Sequence, residues 1–326
     1  MTTVDRSQKY GRWAAMSTLH RSIVMAYAFA VVLFVAGEVI SVGFDSPAHI
    51  LTILVISSFV GYVGIGQTLV ILTGGIDLSI AYLMNATAVF MTGLVASHIA
   101  STDVVLVIVA LGGALIGAVN GVGIVVFNIP PLVMTLGMNS VLEGVVLVYT
   151  NGTPTGNAPA LIHYLVDGRM GPVPVDLVVW AVLAIVVGVM LARTVFGRRI
   201  YAVGNSFTSS YLSGINVGRT LIVTYMVAGF FTGLAGMFLT GYAGYSYLGM
   251  GDSYLLPSIA VVVIGGASIV GGRGNYVGTI AGAIVITVLT TILTILNMPI
   301  AAREIVYGLV ILGALLLYGR ESGLKG

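Results

Sequence analysis

The chain reads as an all-α integral membrane protein, and three observations point there. Of its 326 residues 58% are hydrophobic and 7% are charged, against about 25% charged in an ordinary soluble domain. Apolar runs of the roughly 20 residues needed to cross a bilayer recur from end to end. Forty-four glycines suit helices that approach one another closely in lipid.

Ten runs predict a ten-span helical bundle: 22–42, 49–72, 77–98, 103–127, 131–149, 175–194, 220–241, 254–270, 276–297 and 303–319. The first has too long an apolar run for a signal peptide, and no small-residue cleavage site follows it. With the N-terminus inside, Arg6, Lys9, Arg12, Arg21, Arg193, Arg198, Arg199, Arg219, Arg273, Arg320 and Lys325 are cytoplasmic, 11 of 13 basic residues; Arg169 and Arg303 fall outside. This asymmetry satisfies the positive-inside rule and an even number of spans. It divides the chain into a cytoplasmic tail 1–21, one transmembrane domain 22–319 with an outer loop 150–174 and a cytoplasmic loop 195–219, and a cytoplasmic tail 320–326.

Between the second and third runs stands Gly66-Gln67-Thr68-Leu69-Val70-Ile71-Leu72-Thr73-Gly74-Gly75-Ile76-Asp77-Leu78-Ser79. Adjacent glycines break a helix cheaply, and an acid behind them can cap the next one. Two readings stay open: a tight cytoplasmic turn with a cap, or an interruption at membrane depth, where an ionisable group is costly and marks function. This stretch strongly resembles the permease subunits of ribose-type sugar ABC importers, whose relatives include branched-chain amino-acid permeases. Gly117-Ala118-Val119-Asn120-Gly121, Ile129-Pro130-Pro131 with Thr135-Leu136-Gly137, and Ile259-Ala260-Val261-Val262-Val263-Ile264-Gly265-Gly266 through Gly271-Gly272-Arg273-Gly274 extend that resemblance over most of the chain. The paired prolines start the fifth span, since they cannot continue the fourth.

In the fifth span Glu143 replaces an arginine usual in that family. It should face the bundle interior, as a hydrogen-bond partner of a neighbouring helix or as a transport residue. The outer loop 150–174 is Gly- and Pro-rich, a connection or a docking surface. In the cytoplasmic loop, Gly204 and Gly214 bracket about two and a half helical turns, with Phe207, Tyr211 and Leu212 on one apolar face. Composition alone favours a connector lying on the membrane. The resemblance instead implies a coupling helix seated in an ATPase cleft, formed by Tyr201, Ala202, Gly204, Ser213, Gly214 and Ile215, with Asn205 and the bulky Phe207, Tyr211 and Leu212 beside them. Asn205 and Ser206 depart from the family's Gly-Asn pair. An acidic pair frequent upstream of the last block is Leu255 and Pro257 here, so no role of that pair carries over. Arg273 marks a cytoplasmic turn or an ATPase contact.

The diglycines after spans two and eight suggest interrupted helices and an inverted repeat of spans 2–5 and 7–10. Absences narrow the function. No P-loop motif occurs, and Lys9 and Lys325 are the only lysines. There is no catalytic constellation, no cysteine, and no metal-ligand spacing among His20, His49, His98 and His163. A net charge of +2 suggests no nucleic-acid partner.

The expectation is therefore a non-enzymatic, multi-pass permease of the bacterial inner membrane with both termini cytoplasmic. It binds no cofactor or metal, and a separate ATPase, a fused double subunit by resemblance, uses ATP and Mg. A sugar-binding protein outside and a second permease chain, identical or related, complete the importer. Gln67, Gly74, Gly75, Asp77, Ser79, Asn120, Asn139 and Glu143 are the pathway or gate candidates. Polar, uncharged side chains with few ionisable ones suit a neutral polyol that passes quickly rather than binding tightly. A branched-chain amino-acid permease, an ion-coupled transporter using Glu38, Asp77 or Glu143, and a membrane enzyme are the alternatives.

Overall fold

A computed structural model describes the backbone of residues 18–322 and the side chains of 21–313. Arg6, Lys9, Arg12 and Lys325, and the side chain of Arg320, lie outside the described residues. So do most of the predicted tails 1–21 and 320–326, although the first helix already begins inside the former.

The first half comprises α1 (Thr18–Ile40), α2 (Pro47–Leu72), α3 (Ile80–Ala96), α4 (Thr102–Val126) and α5 (Pro131–Thr150). After α6 (Ala160–Asp167) and an antiparallel hairpin, β1 (Arg169–Met170) and β2 (Val173–Pro174), come α7 (Val175–Arg193), α8 (Val195–Asn205), α9 (Phe207–Leu212) and α10 (Val217–Ala243). A 3-10 turn (Asp252–Tyr254) leads into α11 (Leu255–Ile264), then α12 (Tyr276–Ile295) and α13 (Ile300–Ser322). Each predicted span contains one helix. Among the described residues, seven helices are long and apolar enough to cross a membrane; α3 has 17 residues and α11 only 10.

The span expected at 254–270 is thus much shorter than its apolar run. Gly265 ends the helix and Gly266 takes a left-handed φ of 85°, which only glycine adopts cheaply. The loop 150–174 is more ordered than its glycines and prolines suggested. Ile162 and Val166 of α6 are buried, and an added Cβ on Gly241 of α10 would meet Ile162 at 2.9 Å.

Local chemistry fixes the other ends. Pro47 opens α2 behind Ser46, whose hydroxyl accepts from His49 N at 3.4 Å, and Asn216 accepts from Arg219 N at 2.9 Å to open α10. Gly244, left-handed, closes α10.

Helix α2 is the axis of the bundle. Every residue from Ser57 to Leu72 is buried, against α10 on one side and α11 and α12 on another. Since lipid removes the hydrophobic drive for helices to pair, small residues and polar bonds hold them. Thr68 shares a 2.7 Å hydrogen bond with Thr279 of α12. The Tyr276 hydroxyl donates to Gly61 O at 2.9 Å and accepts from Trp180 Nε1 of α7 at 2.9 Å. Asp176, wholly buried at the start of α7, accepts from Tyr62 Oη at 2.8 Å and from Ser58 Oγ.

The tightest seam joins α4 to α10. Gly113, Gly117 and Gly121, one every fourth residue, lie against the backbone of Gly229, Tyr225 and Ile222. Helices α1, α4, α5 and α7 turn apolar side chains outward, among them Val39, Leu115, Val148 and Ile185.

Candidate functional site: two glycine breaks and the helices that hold them

Helix α2 ends at Thr73, and the chain runs without helical bonds to Ile80. In this gap Gly74 has φ 82°, and a Cβ on Gly75 would overlap the Tyr225 hydroxyl. Asp77 is 2% exposed. One of its oxygens accepts from Ser79 N at 2.8 Å and from Ser79 Oγ at 2.6 Å. Asn120 Nδ2 donates to the same Ser79 hydroxyl at 3.0 Å. Asp77, Ser79 and Asn120 therefore form one buried network between the break and α4. The cap expected of Asp77 is displaced by one step: Ser79 occupies the N-cap of α3 and makes no side-chain capping bond, while Asp77 binds the N–H two residues ahead of itself.

Two backbone donors at the entrance to α3, Leu78 N before it and Tyr82 N in its first turn, are satisfied from α5. Thr135, Asn139 and Glu143 stand four residues apart on one face of that helix. Thr135 Oγ1 accepts from Leu78 N at 3.0 Å, Asn139 Oδ1 accepts from Tyr82 N at 3.2 Å, and Glu143 accepts from the Tyr82 hydroxyl at 3.0 Å. Free N–H groups at a helix start need such partners. Glu143 thus does bond a neighbouring helix, and Thr135, singled out beforehand only within a sequence block, is the third member of the row. Its four-residue spacing with Asn139 and Glu143 was the available signal.

Gln67 stands apart from this network: it is fully buried, and neither amide atom has a partner. Glu38, a candidate for ion coupling, lies in the last turn of α1 and holds the α1–α2 connection, accepting from Asp45 N at 2.9 Å and Gly43 N at 3.4 Å.

The second diglycine comes to the first. Gly272 N donates to Leu72 O at 2.9 Å, and a Cβ on Gly271 would sit 2.9 Å from Gly74 N. Across both lies the end of α8. An added Cβ on Gly204 would overlap the Leu72 carbonyl oxygen and approach Gly272 N. Tyr201 Oη donates to Gly274 O at 2.9 Å, and Asn205 Nδ2 donates to Tyr201 O at 2.8 Å and Gly272 O at 3.5 Å. Burial raises the Tyr201 hydroxyl above the ordinary tyrosine value, which keeps it a neutral donor.

The helix expected between Gly204 and Gly214 is present but shorter, the six-residue α9, and a further helix, α8, ends just inside its predicted start. Gly204 lies inside α8, and Ser206 caps a separate α9 by accepting from Ser209 N at 3.1 Å. Gly214 does end α9, at φ 78°, with Gly214 N bonded to Tyr211 O and Ile215 N to Ser210 O, both at 3.0 Å. Ser213 Oγ returns to Ser209 O at 2.8 Å. The predicted coupling residues therefore divide: Tyr201, Gly204 and Asn205 grip the breaks, whereas Phe207, Tyr211 and Leu212 are 53%, 73% and 78% exposed. A cavity of about 300 Å³ joins Phe207 to Gly74, Gly75, Pro130 and Tyr225.

Because one oxygen of Asp77 accepts both Ser79 groups, Asp77→Asn keeps an acceptor there but turns charge-assisted bonds of about 1.5–3 kcal/mol into neutral ones of about 0.5–1.5 kcal/mol. We expect uptake in reconstituted vesicles to fall at least about tenfold with the protein still folded. Unchanged uptake would leave Asp77 as a turn former only.

A family model described as the permease component of branched-chain amino acid transport systems matches residues 49–315. The ribose import permease protein of Bacillus subtilis is 34% identical over 89% of this chain and 91% of its own length. Its counterpart in Escherichia coli K12 is 35% identical over 89% and 92%, and the fructose import permease protein of Rhizobium meliloti 35% over 86% and 80%. No solved structure gives a significant match.

Proposed function

The chain belongs to the family of branched-chain amino acid transport system permease components, and from that premise we propose that it is the membrane permease of an ATP-driven sugar importer. Ribose and fructose importers among its relatives favour a sugar or related polyol over an amino acid. In this reading the ten predicted spans form one permease domain of the bacterial inner membrane with both termini cytoplasmic, and the breaks face the cytoplasm.

The observation that carries the mechanism is the junction of Leu72, Gly74, Gly204, Gly271 and Gly272. Helix α8 touches both breaks through backbone, and α9, next in the chain, offers an apolar face to solvent. An ATPase that seats Phe207, Tyr211 and Leu212 can move α9, and α8 transmits that movement to the ends of α2 and α11. The partner binds ATP with Mg; this chain has no P-loop. ATP shifts the permease between inward- and outward-open forms only by its different affinity for the two. Asp77, Ser79, Asn120, Asn139 and Glu143 hold the break that has to rearrange, with Gln67 about two helix turns before it in α2. A second permease chain, identical or related, would complete the path, and an extracytoplasmic binding protein would deliver the solute.

The test is the triple substitution Phe207→Ser, Tyr211→Ser, Leu212→Ser. Tyr211 and Leu212 are largely exposed and Phe207 about half, so the melting temperature should hold within about 2 °C. Co-purification of the ATPase should be lost and uptake abolished. Retention of the ATPase at wild-type stoichiometry would remove α9 from the interface.

A further inference from the structure

At the end of the bundle opposite the breaks, a cavity of about 560 Å³ opens between α2, the 3-10 turn leading into α11, α12 and α13. Its rim carries Asp252, Arg303 and Glu304, and its wall carries Thr287, Thr290 and Tyr307 amid aliphatic side chains.

Three features separate this place from an ordinary wet loop. Arg303 is the cation nearest the two carboxylates, yet its Nε donates to Met298 O at 2.9 Å. The ion pair His163–Asp167 lies elsewhere in the fold, and among the described residues neither Asp252 nor Glu304 has a cation within salt-bridge distance. The negative charge also extends beyond the rim: partial burial raises the Asp252 carboxyl above the usual range, and Glu143 and then Glu304 raise it further. Finally, Thr287 is 2% exposed and its Oγ1 has no partner, a rare and unfavourable state for a buried hydroxyl. Thr290 and Tyr307, by contrast, share a 2.7 Å bond.

We propose that this cavity binds a hydroxylated solute bearing a protonated amine, an amino sugar or amino polyol, with Asp252 and Glu304 taking the ammonium group and Thr287 a hydroxyl. The ammonium supplies three donors and no acceptor, which matches two carboxylates. A polyol hydroxyl supplies the partner that Thr287 lacks, and the aliphatic wall accommodates the carbon skeleton. The neutral polyol expected from the sequence was read from other residues, those around the first glycine break, and none of Asp252, Glu304 or Thr287 was among them. That the cavity is the outer vestibule of a transport path rests on the importer reading; the binding chemistry does not.

The test is binding to the full chain in lipid nanodiscs, by saturation-transfer NMR titration of glucosamine, galactosamine and N-methylglucamine against glucose, galactose and sorbitol. At least one amine should bind roughly tenfold or more tightly than its neutral counterpart. The preference should vanish in Asp252→Asn/Glu304→Gln, and amine affinity should fall several-fold in Thr287→Val, which a merely solvated rim would not feel. Asp103→Asn, at the start of α4, should leave the titration unchanged. Equal binding of both series, binding of neither, or a co-purified phospholipid that no amine displaces would each overturn the assignment. ATP-driven uptake with no amine preference sinks this inference alone, while amine binding in a chain that needs no ATPase sinks the importer reading alone.

Discussion

Gly204→Val should abolish solute uptake by the assembled importer while the chain still inserts in the membrane. The cause is local and steric. A side chain at position 204 overlaps the carbonyl oxygen of Leu72 and crowds the amide of Gly272, and these are backbone atoms that cannot swing aside. Helix α8 must lift away, breaking the Tyr201–Gly274 and Asn205–Gly272 bonds and opening the junction between the two breaks. ATP hydrolysis should continue at the rate of the uncoupled ATPase. Gly214→Ala provides the comparison. Nothing lies within 4 Å of a Cβ there, so its cost is the left-handed backbone alone, about 1–2 kcal/mol, and uptake should survive. Equal effects of the two substitutions would show that the junction does not transmit motion.

Gly117→Val should strongly destabilise the bundle. Its added carbons meet the Tyr225 carbonyl and the Gly229 Cα of α10, in the seam where two helices run closest. Overpacking ordinarily costs about 1–3 kcal/mol, and contact with the α10 backbone rather than with a movable side chain puts this position at the upper end or beyond. Little folded chain should be recovered, and what is recovered should melt many degrees lower by fluorescence-detected size exclusion. Gly112→Val, on the open side of the same helix with nothing within 4 Å, should melt within about 2 °C of the parent. Similar melting of both variants would remove the glycine seam as a determinant of stability.

These two positions also mark what the sequence makes legible. Helix locations follow from apolar runs and prolines: Pro47 and Pro131 open α2 and α5 within two residues of the expected starts. The recurrence of Gly113, Gly117 and Gly121 is visible in the chain, but which helix it meets is not, because α10 lies over a hundred residues on. A still longer separation hid the meeting of Gly74 with Gly271. Asp77, Ser79 and Asn120 were singled out separately and prove to be one network. Glu143 was expected inside the bundle and is bonded to Tyr82. Three features escaped. An apolar run of 17 residues at 254–270 concealed a helix stop at Gly265, since hydropathy does not register backbone φ. The capping Ser206, which divides α8 from α9, was masked by the glycines on either side. Asp176, at the edge of an apolar run, gave no hint that Ser58 and Tyr62 would bury it.

The division of labour between conduit and motor is tested most directly by solute accumulation in proteoliposomes. With the ATPase, the binding protein and internal or external ATP as required, the permease should concentrate solute against a gradient. The purified chain alone should accumulate none, with or without imposed proton or sodium gradients. Concentrative uptake by the chain alone would contradict the assignment, because a gradient would then be driving transport through groups of the permease itself.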